Sequence, residues 1–326
     1  MKALLFLLFL LTSLSATAAE KIPVWIDYDI GLGKKFHDVD DGLALMHALF
    51  SKDVLEIRGI SYGFGNTIDL LSMKRITQKI LIQAQATEIQ FFEGARSPSM
   101  LGQPTPASAA LIVALEQGPL VIMAMGRMTN VATVLTLRPD LAKNIKNLII
   151  NAGRRLEYPT RYGPRQIIFP DTNIDGDLAA MKLITRMGIL VTMIPTESMT
   201  EMVWTHSDLK TMRRAGGFLG WMADLTRGWI SVWKIFIGGE GFIPWDVFIV
   251  SYLTHPEDFH CDEQIPFDLV TLKNDTHGVF RHRQPLVKDF LVASHTLETS
   301  NRGTYCYQIE PGHRERLINF WLATNF

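Results

Sequence analysis

The sequence predicts an α/β fold, a single domain on a mostly parallel, Rossmann-like central sheet flanked by helices. Three observations predict it: short apolar runs alternate with helical patterns, polar turns separate them, and no internal repeat or long linker divides the chain. Such alternation encodes right-handed βαβ units, whose parallel strands are covered on both faces. The 326 residues suffice for one large core, and 47% hydrophobic with 20% charged residues is an ordinary globular balance.

The elements follow in order. Residues 22–28 are an apolar run that reads as a buried strand, and 41–50 as a helix with Leu45, Met46 and Leu49 on one face. Residues 55–62 give a second strand. A long helix over 66–84 follows, with Leu70, Leu71, Ile76 and Ile80 spaced for burial. Strands at 89–92, 120–125 and 146–151 alternate with helices at 107–117 and 130–137; helix 177–187 and strand 189–194 close the series. Residues 208–233 read as helical and aromatic-rich, inside a helical insertion over about 200–245, and 245–253 as another helix. Gly238-Gly239-Glu240-Gly241 lacks the spacing and preceding strand of a phosphate loop, so it reads as a mobile turn. Beyond His255-Pro256 the chain reads as irregular and β-like.

Met1-Lys2, the apolar run 3–11 and the small residues Ala16-Thr17-Ala18-Ala19 stand in the order of a secretory signal peptide. The run is too short to span a bilayer. Residues 1–19 are therefore expected to be removed, leaving a domain over 20–326 that works outside the cytoplasm, periplasmic or secreted. A net charge of −1 offers no basic face to nucleic acid or anionic membrane, so a small molecule is the expected partner, with a homo-oligomer left open. Cys261 and Cys306 suit either a disulfide in an oxidising compartment or two small apolar side chains.

The first strand ends in Asp27-Tyr28-Asp29, two carboxylates on one side of the strand, and Asp38-Val39-Asp40-Asp41 follows just before a helix. Asp40 or Asp41 alone could cap that helix, but a cap explains one aspartate and not the whole group. Carboxylates this dense repel one another unless a cation sits among them. Oxygen donors without cysteine or paired histidine suit calcium or magnesium. A phosphatase with Asp27 as nucleophile is the weaker alternative, because the second acidic pair comes too soon.

At these residues the chain resembles the inosine–uridine type of nucleoside hydrolase. Asp27-Tyr28-Asp29-Ile30-Gly31, resuming at Asp40-Asp41-Gly42-Leu43-Ala44, is similar to that family's Asp-x-Asp-Pro-Gly-x-Asp-Asp signature. Gly59 to Asn66, Met125-Gly126-Arg127-Met128-Thr129-Asn130, Asp171-Thr172-Asn173-Ile174, Pro244-Trp245-Asp246 and Asn301-Arg302-Gly303 resemble later motifs in the correct order. The resemblance implies a nucleoside hydrolase-like fold and hydrolysis of an N-glycosidic bond. It implies calcium held by Asp29, Asp41, Asp246 and the main-chain oxygen of Thr129, with Asp29 as the base that activates water. It also implies that Asp40, Asn66 and Asn173 hold ribose hydroxyls while Asp171 reaches the 5′-hydroxyl.

Three departures qualify the match. Trp245 stands where many members carry a histidine that protonates the leaving base; an indole stacks on a flat base but gives it no proton, which favours purines. The 5′ end has Asp171 in place of a longer glutamate, with Arg165 near the place of an asparagine, so an anionic 5′ substituent is a second option. Extra residues near 32–39 bring Lys34, Lys35 and His37 beside the acidic loop, and are read as solvated. With these departures, an exported calcium-dependent binding protein without efficient catalysis is the competing reading.

Overall fold

The computed structural model describes residues 20–156, 159–277 and 285–325; the signal peptide expected at 1–19 lies outside the described residues. The chain opens with β1 (Ile22–Tyr28), α1 (Asp40–Phe50), β2 (Leu55–Tyr62), α2 (Leu70–Gln83) and β3 (Phe91–Glu93). It continues through α3 (Pro106–Gln117), β4 (Leu120–Ala124), α4 (Thr129–Leu137) and β5 (Ile145–Ile150). A short β6 (Arg154–Arg155), α5 (Thr172–Asp175) and α6 (Leu178–Arg186) precede β7 (Val191–Met193). Next come α7 (Thr196–Met199), β8 (Trp204–Thr205), α8 (His206–Ala215), α9 (Gly217–Phe236), β9 (Gly241–Phe242) and α10 (Trp245–Thr254). The last elements are β10 (Phe259–Lys273), β11 (Val287–Ala293), β12 (Arg302–Ile309) and α11 (His313–Thr324).

Among the described residues one large sheet runs β3-β2-β1-β4-β5-β7-β12-β10-β11-β6. Pairing is parallel from β3 through to β12, and β10 runs antiparallel between β12 and β11. The mostly parallel sheet expected from the alternation is therefore present. Successive side chains of β1 divide between the faces: Val24 and Ile26 join one apolar cluster with α1, α9 and α10, while Trp25 joins another with α3, α4 and α6. Both faces are covered, as the apolar strands require.

Three elements differ from the sequence reading. The single helix expected over 208–233 breaks at Gly216 and Gly217, whose φ values of 68° and 54° favour residues without a side chain. The helix expected from 66 starts at Leu70, because Asp69 accepts from the Ser72 amide at 3.1 Å and caps it there. Residues 313–324, read as β-like, form α11, with Leu317, Ile318 and Trp321 buried on one face. Cys261 and Cys306 face each other on β10 and β12 and are joined by a disulfide.

A histidine cluster behind α1 ties stability to pH. His47 is fully buried; its Nδ1 accepts from the Trp321 indole at 3.0 Å and its Nε2 meets Thr254 Oγ1 at 3.1 Å. The rings of His47, His255 and His313 contact one another in a row. Burial first, then the neighbouring His255 and His313, holds the His47 pKa well below its usual value. The unfolded chain binds this proton below about pH 6.5 and the folded chain does not, so His47 stabilises above that pH and its contribution fades as pH falls. In urea unfolding, the wild type should lose stability relative to His47→Gln by up to about 1.4 kcal/mol per pH unit below 6.5. Parallel curves for the two proteins would show that His47 is not the acid-sensitive group.

Candidate active site

The acidic residues gather at the carboxyl ends of the parallel strands, where open α/β sheets bind ligands. Asp27, near the end of β1, turns away from the cleft. Its Oδ1 accepts from Ser61 Oγ at 2.6 Å and from Asn130 Nδ2 at 2.8 Å, and Ser61 in turn accepts from the Trp25 indole. Burial pushes its pKa up to about 7, against those hydrogen bonds. Two residues on, Asp29 lies in the cleft between Gly65 and Gly126. A Cβ on Gly65 would sit 1.6 Å from Asp29 Oδ2, and one on Gly126 would sit 3.0 Å from Asp29 Cγ.

The facing carboxylates come from two helix starts. Asp40 and Asp41 occupy the first turn of α1 and Asp246 the first turn of α10. None is the cap of its helix, so capping does not explain them. One oxygen from each of Asp40, Asp41 and Asp246 lies within 4.8 Å of the others, and all three residues are buried. Two helix N-termini aimed at one point favour negative charge there. Asp41 Oδ1 also accepts from the Asp29 amide at 3.1 Å, and Asn151 Nδ2 donates to Asp246 Oδ1 at 3.0 Å.

Burial, then mutual repulsion, pushes the carboxyl pKa values of Asp41 and Asp246 well above the usual range. Asp29 rises to about 7, chiefly through burial, with the Asn66 main chain and the Arg127 guanidinium acting against it. Holding several such groups ionised in one buried place requires a compensating cation. An all-oxygen donor set of this charge fits a hard divalent ion.

The remaining sequence-predicted residues divide. Asp171 lines the cleft and caps α5: its Oδ1 accepts from the Ile174 amide at 3.2 Å and its Oδ2 from the Gly153 amide at 3.1 Å. Burial raises its pKa to about 7. Asn173 lines the cleft beside it and donates from Nδ2 to the Met125 carbonyl at 2.8 Å. Asn66 lines the cleft too, but two of its amide contacts are already made. Its Oδ1 accepts from the Asp38 amide at 3.1 Å and its Nδ2 donates to the Asp38 carbonyl at 3.0 Å.

Thr129 is a correction. It opens α4, so its carbonyl belongs to that helix's ladder, and its hydroxyl donates to Asp177 Oδ2 at 2.6 Å. Met125, at the end of β4 and four residues earlier, lines the cleft instead. Arg165 is a second correction: exposed, it donates to the Ile235 and Phe236 carbonyls at the end of α9, each at 2.9 Å, and does not line the cleft. Lys34, read as solvated, is bonded to Thr67, Asp69 and Ser72.

The cleft, about 700 Å³, carries an aromatic wall. Trp245 packs against Phe169 and Trp233, with ring centroids 5.3 and 5.2 Å away, and Trp229 lines the same cleft. Pattern reading missed the contributions of Met125, Asn151, Phe169 and Arg127. Arg127 interrupts an otherwise apolar turn, which was the one available signal.

Residues 24–303 match the family described as inosine-uridine preferring nucleoside hydrolase. The chain is 25% identical over 256 residues to probable uridine nucleosidase 1 of Oryza sativa subsp. japonica, covering 68% of this chain and 75% of that protein. Among solved structures, a plant nucleoside hydrolase, the PpNRh1 enzyme, is similar with a TM-score of 0.73 at 18% identity, covering 94% of this chain and 99% of its own. A purine-preferring ribonucleoside hydrolase from Gardnerella vaginalis is similar with a TM-score of 0.69 at 20% identity, covering 93% and 97%. At these identities the structural likeness carries the fold.

Proposed function

The chain belongs to the inosine-uridine preferring nucleoside hydrolase family, and from that premise we propose that it hydrolyses a ribonucleoside, preferring purines, or a related N-riboside, with calcium held by Asp29, Asp41 and Asp246. As a member of that family it is a metal-dependent hydrolase of small nucleosides, acting on N-glycosyl bonds. The observation that carries this reading is the meeting of Asp40, Asp41 and Asp246 oxygens within 4.8 Å; Asp29 stands outside that three-oxygen group and is joined to it by the hydrogen bond from its amide to Asp41 Oδ1.

Bound there, calcium would neutralise the carboxylates and polarise a water and the sugar hydroxyls. The carbonyl of Met125, a residue that lines the cleft and accepts there from Asn173, is the main-chain oxygen we assign in place of that of Thr129. Asp29 takes the proton of the attacking water. Asp40, Asn66 and Asn173 orient the ribose, and Asp171 accepts from its 5′-hydroxyl. The C–N bond breaks through an oxocarbenium-like state, and its electron pair leaves with the base. Trp245 stacks on that base and gives it no proton, so the leaving nitrogen is protonated from solvent. Purines suit this arrangement best. One relative is named for uridine and another for purines, so the preference rests on the aromatic wall.

The same proposal carries export, in keeping with the Cys261–Cys306 disulfide. In the test, purified protein should release free ribose from inosine faster than from uridine, stop with a calcium chelator and resume when calcium is restored. Calcium-dependent binding of nucleosides with no ribose released would favour the binding protein without efficient catalysis, which the missing proton donor at 245 motivates.

A further inference from the structure

The inserted segment 32–39 is held too firmly to be an idle surface loop. Both ends are buried: Leu32 and Val39 are each 2% exposed. Lys34 Nζ donates to Thr67 Oγ1 and Asp69 Oδ2 at 3.1 Å and to Ser72 Oγ at 3.3 Å. The Asn66 amide clasps the Asp38 main chain through two hydrogen bonds. Gly31 closes the base of the segment, where a Cβ would lie 2.4 Å from Asn66 Nδ2 and 2.8 Å from His37 Cβ.

On this pinned loop, Phe36 lines the cleft yet is 74% exposed. Its φ of 64° is in the left-handed region, which a bulky residue keeps only where its surroundings impose it. The loop abuts α9, since a Cβ on Gly33 would lie 3.6 Å from Leu225 Cδ2, one helical turn before Trp229. Phe36 thus stands at the rim of a cleft whose wall is Trp229, Trp233, Trp245 and Phe169. A single exposed aromatic is unremarkable on a surface. One held in a strained backbone at the rim of an aromatic cleft has a reason to be there.

We propose that Phe36 is a substrate-contacting residue: it covers the planar leaving base against the tryptophan wall and sets the preference for flat aromatic leaving groups. This rests on the reading of the cleft as an N-riboside site. The bond-breaking step is unchanged; Phe36 contributes contact area to the base alone.

The experiment compares wild type, Phe36→Ala and Phe36→Trp, using ribose release from inosine and quenching of the cleft tryptophans by free hypoxanthine and by free ribose. Base–aromatic stacking predicts a KM about tenfold higher in Phe36→Ala, recovered in Phe36→Trp, with hypoxanthine binding weakened in parallel. Ribose binding should not change. KM and hypoxanthine affinity within twofold of wild type would overturn the assignment. So would equal losses of ribose and hypoxanthine binding, which would mean that the loop had merely collapsed. If the wild type releases no ribose, the hydrolase reading fails by itself, and hypoxanthine quenching alone decides the role of Phe36.

Discussion

Asp29→Asn should leave a folded protein whose ribose release at saturating calcium is slower by about 10²–10⁴-fold, the usual contribution of a positioned general base. Asparagine keeps the size of the side chain, so the tight fit between Gly65 and Gly126 survives. What it removes is the proton acceptor at the end of β1 and one anionic oxygen of the acidic group. Saturating calcium separates these two losses, because a weakened ion site recovers with added ion and a missing base does not. The check is kcat as a function of calcium, with a thermal melt to confirm the fold. Activity within tenfold of wild type would take the base role away from Asp29.

Gly65→Ala should be nearly as damaging, although it adds only a methyl group. Its Cβ would lie 1.6 Å from Asp29 Oδ2 and 2.5 Å from Asp29 Cγ, so either the carboxylate swings away or the turn after β2 moves. A displacement of about 1 Å at a reacting group costs on the order of 10²-fold in rate. Forcing an extra methyl into a packed place costs about 1–3 kcal/mol of stability. Gly228→Ala is the control: in α9 nothing lies within 4 Å of the added Cβ, and alanine suits a helix interior better than glycine. Normal kcat in Gly65→Ala would mean that Asp29 has freedom to move without loss, and so is not held for catalysis.

The sheet was legible because its information is local. A run such as Val24-Trp25-Ile26 buries every side chain, and only a strand covered on both faces accommodates that. The acidic group at 27–41 was legible for a related reason: charge this dense at one strand end cannot be structural filler. The break at Gly216, the late start of α2 and the helix α11 were less legible. The first two turn on a glycine pair and a capping Asp69 that apolar periodicity does not register, while α11 depends on packing partners distant in sequence.

By itself, then, the sequence determined a doubly covered parallel sheet, an acidic centre at the end of β1 and a tryptophan beside the late aspartate. Only the tertiary structure decided which groups meet. It brought Asp246 to Asp40 and Asp41 by aiming the starts of α1 and α10 at one point. It put Met125 rather than Thr129 in the cleft, sent Arg165 to the end of α9, and bound Asn66 to the inserted loop that presents Phe36. The physical reason is one of range. Periodicity and charge density are properties of neighbours in sequence, whereas a site is made where helix ends and strand ends distant in sequence are packed against the same core.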